Sequence, residues 1–431
     1  MMRAWVLALA LAAGGASAAD KALTLEAALS AAEAPHPDLD LAMAQQEAAR
    51  AEALLADSLN DFRVTLEASL RGGRNEFYNN RFHPDNMARL NARKTLWDFG
   101  RRDANILASS QETQARDLQV LDARAQRRLA VMARYFDVLL ADMRDAADTE
   151  FLAVAYVSWD NSKDRQELGQ LAAWELAELE NRYMDIRTQR NDTRRKLREK
   201  RMLLGAAMNR SGTVLEDLVD PALPNNNRAL PEFQPLLEQV LARNPRLLAQ
   251  RQLLAGATSR LDAVRADYRP TLEFEAEAAT WTRESSTRDD LRAGLNFVWP
   301  IWQGARNDAR LGKEQARFHE LQAQHDKLVM DLRQTVLETR EEIQYLVESE
   351  RRSTEVATAY RDMALERARA EYELELKTNL GNSMAETQVA KLRKRAVEYR
   401  LALAWARLEA LLGGPEALAT LTGPVKPEEK K

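Results

Sequence analysis

One heptapeptide recurs in this chain with two residues changed. Asp61-Phe62-Arg63-Val64-Thr65-Leu66-Glu67 returns as Asp267-Tyr268-Arg269-Pro270-Thr271-Leu272-Glu273, about 206 residues later. At nearly the same offset His36-Pro37-Asp38-Leu39 returns as Asn244-Pro245-Arg246-Leu247. Leu96-Trp97 followed by Arg101-Arg102-Asp103-Ala104 returns as Ile301-Trp302 followed by Arg306-Asn307-Asp308-Ala309. Three matches in one order at one spacing mark a tandem duplication, so the fold must be two copies of one series of elements. The expected organisation is a leader over 1–19, a first repeat over 20–208 and a linker over 209–232. A second repeat over 233–413 and a tail over 414–431 complete it.

Within each repeat, Pro-free helical stretches dominate. Opening helices are expected from about Leu23 to Asn60 and from about Phe233 to Asp267. Pro37 and Pro245 either start these helices or kink them. Longer stretches run from about Arg102 to Asp160 and Arg306 to Lys377, and third ones from about Trp174 to Ala207 and Ser383 to Leu412. Ala and Leu supply roughly 30% of the chain and suit long helices. Sixty helical residues reach about 90 Å, a length that implies coiled-coil packing.

Between the helices the period changes from 3.6 to 2. Val64, Leu66, Ala68 and Leu70 oppose Arg63, Thr65, Glu67, Ser69 and Arg71. Leu90, Ala92 and Leu96 oppose Arg89, Asn91, Arg93 and Thr95. Leu272, Phe274, Ala276 and Ala278 oppose Thr271, Glu273, Glu275 and Glu277. Leu291, Ala293, Leu295, Phe297 and Trp299 oppose Arg292, Gly294 and Asn296. A half-buried sandwich is the commoner cause of such alternation. Here the strands adjoin helices too long for a sandwich. Aromatic residues (Phe77, Tyr78, Phe82, Trp97, Trp281, Trp299 and Trp302) also gather near strand ends, as in a membrane girdle. A transmembrane barrel is therefore expected, its charged face (Arg63, Glu67, Arg89, Arg93, Glu273, Glu275, Glu277 and Arg292) lining a lumen. Four strands cannot close such a barrel and open edges are not tolerated in lipid, so several copies must pool their strands.

The first residues agree with export. Met1-Met2-Arg3, an apolar run from Ala4 to Ala13 and the small residues Gly14 to Ala18 read as a secretory signal peptide. Other function classes find little support. The chain has 62 Lys and Arg against 66 Asp and Glu, which leaves no basic field for nucleic acid. Cys is absent, which removes disulfides, thiolate metal sites and a Cys nucleophile. His319 and His325 are six apart, not the three or four that put two ligands on one helical face. No Gly-rich phosphate loop or Gly-x-Ser-x-Gly occurs. No enzyme, cofactor or metal site is expected. A soluble periplasmic coiled-coil adaptor or scaffold is the alternative; it accounts for the helices but not for four duplicated strands with charged faces.

Signal peptide, tandem halves, two strand pairs and six helical stretches together resemble the TolC-like outer-membrane factor family. The resemblance rests on Leu23-Thr24-Leu25-Glu26-Ala27-Ala28-Leu29 leading to His36-Pro37, and on Pro300-Ile301-Trp302-Gln303-Gly304-Ala305-Arg306. The latter is similar to the family's Pro-Leu-Phe-Asp-Gly-Gly-Arg, with Thr95-Leu96-Trp97-Asp98-Phe99-Gly100-Arg101 as its first-half counterpart. It implies a mainly α fold with membrane β. A homotrimer would share a twelve-stranded outer-membrane barrel and a long antiparallel coiled-coil helical barrel crossing the periplasm. It further implies passive export, in efflux or type I secretion, with an inner-membrane pump supplying energy and a periplasmic adaptor docked at the tunnel's tip.

The same resemblance nominates residues at the tip. The turns would be Gly169-Gln170-Leu171 and Asn379-Leu380-Gly381-Asn382, contacting the adaptor. The second departs from the family pattern, with its Gly displaced to 381 and Ser383 where an Asp stands. Glu175, Glu178 and Glu386 fall where the family places inward carboxylates; threefold symmetry would repeat them as rings that attract cations. The competing expectation for these three is a solvated helix face.

Overall fold

The computed structural model describes residues 22–74, 81–210, 212, 217–282, 289–374 and 380–422. The leader over 1–19 and the residues Phe77, Tyr78 and Asn379 lie outside them. The first repeat contains α1 (Leu25–Ala31), α2 (Pro37–Ser58), β1 (Arg63–Ser69), β2 (Gly72–Arg74) and β3 (Phe82–Pro84). It continues with β4 (Met87–Trp97), α3 (Arg101–Glu167) and α4 (Ala173–Ala207). The second contains α5 (Phe233–Arg243), α6 (Pro245–Ala266), β5 (Thr271–Trp281), β6 (Leu291–Val298) and α7 (Arg306–Tyr345). α8 (Arg351–Glu373) and α9 (Leu380–Leu411) follow, and α10 (Pro415–Thr422) falls in the tail.

Capping residues decide where the opening helices begin. Each expected opening helix is two, broken before the matched prolines. The His36 Nδ1 accepts the Asp38 N–H at 3.2 Å, and the Asn244 Oδ1 accepts the Leu247 N–H at 3.0 Å. Pro37 and Pro245 then occupy the first helical turn, where the missing N–H costs nothing. The longest helices differ between repeats. α3 is unbroken for 67 residues, whereas the stretch expected from Arg306 to Lys377 passes through a π turn, Leu346–Glu350, between α7 and α8. Such a turn inserts one residue into the helical register; Leu346 within it is fully buried.

Two compact units divide the chain. One comprises the described part of Met1–Ala34 with Ala130–Leu223 and Ser353–Tyr399; the other comprises Pro35–Leu129, Pro224–Arg352 and Arg400–Lys431. In the first, Phe136 and Tyr399 stack with ring centroids 4.5 Å apart. The Tyr135 hydroxyl donates to the carbonyls of Leu23 at 2.8 Å and Val219 at 2.5 Å, tying an extended Leu23–Leu218 bridge to α3. In the second, Leu236, Val240, Leu247, Val336, Leu408 and Trp405 form a buried core.

All the strands belong to the second unit. Its four-stranded antiparallel sheet runs β1-β4-β5-β6, so the β4–β5 pair joins the two repeats and β1 and β6 form the edges. β2 and β3 pair as a short separate ribbon that the alternation did not announce. The helices attach at one end of the sheet, through α2–β1, β4–α3, α6–β5 and β6–α7; the β1–β4 and β5–β6 connections lie at the other. β4 and β5 are 11 residues each, about the length a tilted strand needs to cross a bilayer.

Candidate functional site

The register sorts the sheet into two unlike faces. On one, Phe62 precedes β1 beside the pair Lys94–Phe274, followed by the rows Val64–Ala92–Ala276–Ala293 and Leu66–Leu90–Ala278–Leu291. Nothing in the described chain covers these side chains: Val64 is 60% exposed, Leu66 75%, Leu291 74% and Leu295 63%. A sandwich would bury them, and the described residues of this chain supply no second layer over this face.

The eight charged residues expected to line a lumen share the opposite face. Arg63 pairs in register with Arg93, Arg93 with Glu275, Glu67 with Arg89, and Glu277 with Arg292. Their charges cancel, four Arg against four Glu, and most engage one another. Arg89 bridges Glu67 and, at 3.5 Å, Glu277, which Arg292 holds from the other side at 3.1 Å. Arg93 reaches Glu275 at 3.1 Å and Glu273 at 4.0 Å. Asn91 at 2.8 Å and Asn296 at 2.7 Å also donate to Glu275. Toward the helices this face bounds a concavity of about 590 Å³ that includes Arg63, Glu67, Arg89, Arg93, Asp98 and Arg101.

Sharp turns convert each strand pair into its long helix. Phe99 has φ 55° and Gly100 φ 86°, and in the second repeat Gly304 has φ 63°. The buried Asp98 accepts the Arg102 N–H at 2.8 Å and so starts α3. The left-handed backbone explains Gly100 and Gly304. Phe99 stands in that region without being glycine and is held by an edge contact with Trp97, ring centroids 5.9 Å apart.

The described residues expected at the tip belong to the other unit. Gly169, φ 72°, ends α3: its N–H donates to Gln166 at 2.9 Å, and the Gln170 N–H reaches back to Arg165 at 2.8 Å. Gly169-Gln170-Leu171 is thus a turn. The second expected turn is different, because Leu380, Gly381 and Asn382 form the first turn of α9. Gly381 serves close packing rather than turning: a Cβ there would meet Val154 Cγ2 of α3 at 2.5 Å. Of the acidic candidates, Glu175 accepts the Ala172 N–H at 3.0 Å and caps α4. Glu386 pairs with Arg361 of α8. Glu178 is exposed on α4.

Residue-type reasoning passed over Lys94. It breaks the apolar parity of β4, and that break is visible in the sequence. Among the described residues no cluster of His, Asp and Glu could hold a metal ion, and no helix is long and apolar enough to cross a membrane.

Residues 236–414 match the outer membrane efflux protein family. No curated protein matches the chain. Among solved structures, the chain resembles the outer membrane protein VceC from Vibrio cholerae (18% identity, TM-score 0.69), covering 90% of this chain and 96% of that one. It resembles the Campylobacter jejuni CmeC outer membrane channel at 14% identity and TM-score 0.72, covering 90% and 85% of the two chains. For the Neisseria gonorrhoeae MtrE outer membrane channel the values are 16%, 0.70, 90% and 89%. At these identities the likeness is one of fold.

Proposed function

We propose, from the match of residues 236–414 to the outer membrane efflux protein family, that this chain is a member of that family and the outer-membrane exit duct of a tripartite efflux or type I secretion system. Export through it is passive. The chain performs no catalysis; an inner-membrane pump drives transport, and a periplasmic adaptor joins pump to duct. The observation that carries this reading is the sheet: an exposed apolar face, a charge-compensated polar face, and helices leaving one end only. Lipid suits the first face, water the second, and the helix-bearing end then points into the periplasm. A soluble adaptor has no use for such a sheet.

Both sheet edges, β1 and β6, lack strand partners among the described residues. Three copies arranged β1 to β6 would close twelve strands without an edge. Cell fractionation tests the reading: the protein should stay with outer membranes and resist carbonate extraction, and release into the soluble periplasmic fraction would overturn it.

The adaptor's contact is the α3–α4 tip and the neighbourhood of the start of α9. Leu168 and Trp174 flank the Gly169-Gln170-Leu171 turn and are 71% and 67% exposed. Replacing Gly169 would strain its left-handed backbone, so the cleaner variant is Leu168→Asp with Leu171→Asp. Export should fall while membrane levels hold; unchanged export would count against the contact. With Glu175 committed to a cap and Glu386 to Arg361, Glu178 is the carboxylate freest to form a threefold ring. Planar-bilayer conductance of Glu178→Ala should show reduced cation selectivity, and an unchanged value places that carboxylate outside the duct.

A further inference from the structure

We propose that Lys94, with Phe62 and Phe274 beside it, forms a binding site for the phosphate of an anionic phospholipid at the periplasmic rim of the barrel. The proposal rests on the channel reading above, because it needs the apolar face to meet lipid. On that face the described residues of the four strands are aliphatic or aromatic, apart from Thr280 and Lys94. A cation among them is costly at the bilayer mid-plane and cheap near the interface. Its height on the sheet is therefore informative. Lys94 lies three residues before the end of β4 at Trp97, the end that leads into α3. Exposed aromatics mark the same end: Trp97, Trp299 and Trp302. The apolar rows from Val64 and Leu66 lie farther out, at the depth of acyl chains.

Local geometry favours a bound anion over an ion pair inside the chain. The ammonium sits 4.8 Å from the Phe62 ring centroid. Phe62 meets Phe274 edge-on with centroids 6.3 Å apart, and Phe274 is the register partner of Lys94. The rings hold the amine against the sheet while leaving its charge uncancelled. Among the described residues no carboxylate pairs with it, whereas Glu67, Glu273, Glu275 and Glu277 are engaged by arginines on the opposite face. β4 is an inner strand, so edge pairing with further copies leaves Lys94 facing outward. A lipid phosphate supplies the missing negative charge, and the apolar rows seat its chains.

The test uses the full chain reconstituted in phosphatidylcholine vesicles carrying either brominated phosphatidylglycerol or brominated phosphatidylcholine, with tryptophan quenching as the readout. Trp97 lies near enough to report the site. The anionic lipid should compete about fivefold better than the zwitterionic one, the ratio expected for one Lys near a membrane surface. In Lys94→Gln the ratio should fall to about one, and Lys94→Arg should retain most of it. A ratio near one in the parent protein, or one unchanged in Lys94→Gln, overturns the proposal. Preserved oligomer on unheated gels checks that Lys94→Gln still folds. Failure of the parent chain to insert into either vesicle would instead remove the channel reading, and this site with it.

Discussion

Glu277 has only 5% of its side chain exposed, yet it carries a charge that two arginines compensate, Arg89 at 3.5 Å and Arg292 at 3.1 Å. Surface ion pairs contribute little on their own, but an uncompensated buried carboxylate costs about 3–5 kcal/mol. The two arginines should therefore act as alternates. Arg89→Met or Arg292→Met alone should lower the thermal unfolding temperature slightly. The double variant should lower it by more than the sum, since only then is Glu277 stranded. Additive losses would show that Glu277 draws its compensation elsewhere. Gly169 is a second residue whose chemistry is forced. At φ 72° an L side chain costs about 1–2 kcal/mol, so Gly169→Ala should reduce unfolding stability by roughly that amount, measured in denaturant.

Among elements, the linker after α4 is held in part by the Tyr135 hydroxyl, beside the Leu23–Leu218 bridge and the contacts of Arg395 and Tyr399 with Asp220. Burial pushes the Tyr135 phenol up to about 12 from its ordinary 10.0. Below pH 10 the phenol is neutral in folded and unfolded chains alike, and its stabilisation is complete. As pH rises from 10 toward 12, the unfolded chain ionises first and that stabilisation is lost. The stability gap between parent and Tyr135→Phe, about 1 kcal/mol at neutral pH, should shrink across this range; a constant gap would contradict the assignment. The contact of α9 with α3 offers a second check. Gly381→Ala forces a Cβ onto Val154, a stiff β-branched side chain, at a cost of about 1–3 kcal/mol. Adding Val154→Ala should recover much of the loss. These elements also divide what sequence could tell from what it could not. Strand faces were legible because alternation over Arg63–Ser69 and Thr271–Trp281 maps directly onto register. The breaks at His36 and Asn244 were half legible, since a Pro permits a start or a kink and only the capping bond decides. The π turn at Leu346–Glu350 was not legible, because a one-residue insertion leaves composition and apolar spacing nearly unchanged. Nor could Gly381 be read as a packing residue, since its constraint comes from Val154 some 227 positions away in the chain.

At the scale of the molecule, strand number and edge chemistry bear on the proposed copy number. Among the described residues, each chain brings a four-stranded sheet with two unpaired edges, β1 of 7 residues and β6 of 8. One chain is too few to close. Two would give eight strands, whose interior side chains alone fill the barrel and leave no passage. The polar face here carries Arg and Glu side chains, among the longest available. Three copies would give twelve strands and a lumen wide enough for those side chains and a solute, which is the trimer proposed above. Because the chain contains no Cys, this can be tested on a clean background. Val64→Cys on β1 and Leu295→Cys on β6 share the outward apolar face, each on an edge strand. A short thiol-reactive crosslinker applied to membranes should link β1 of one copy to β6 of the next. The expected ladder is one, two and three chains, ending there, with either single variant giving at most dimers. A ladder that stops at two would mean a plugged eight-stranded barrel. One that continues past three would mean a wider ring or an open assembly, and either outcome would overturn the trimeric duct.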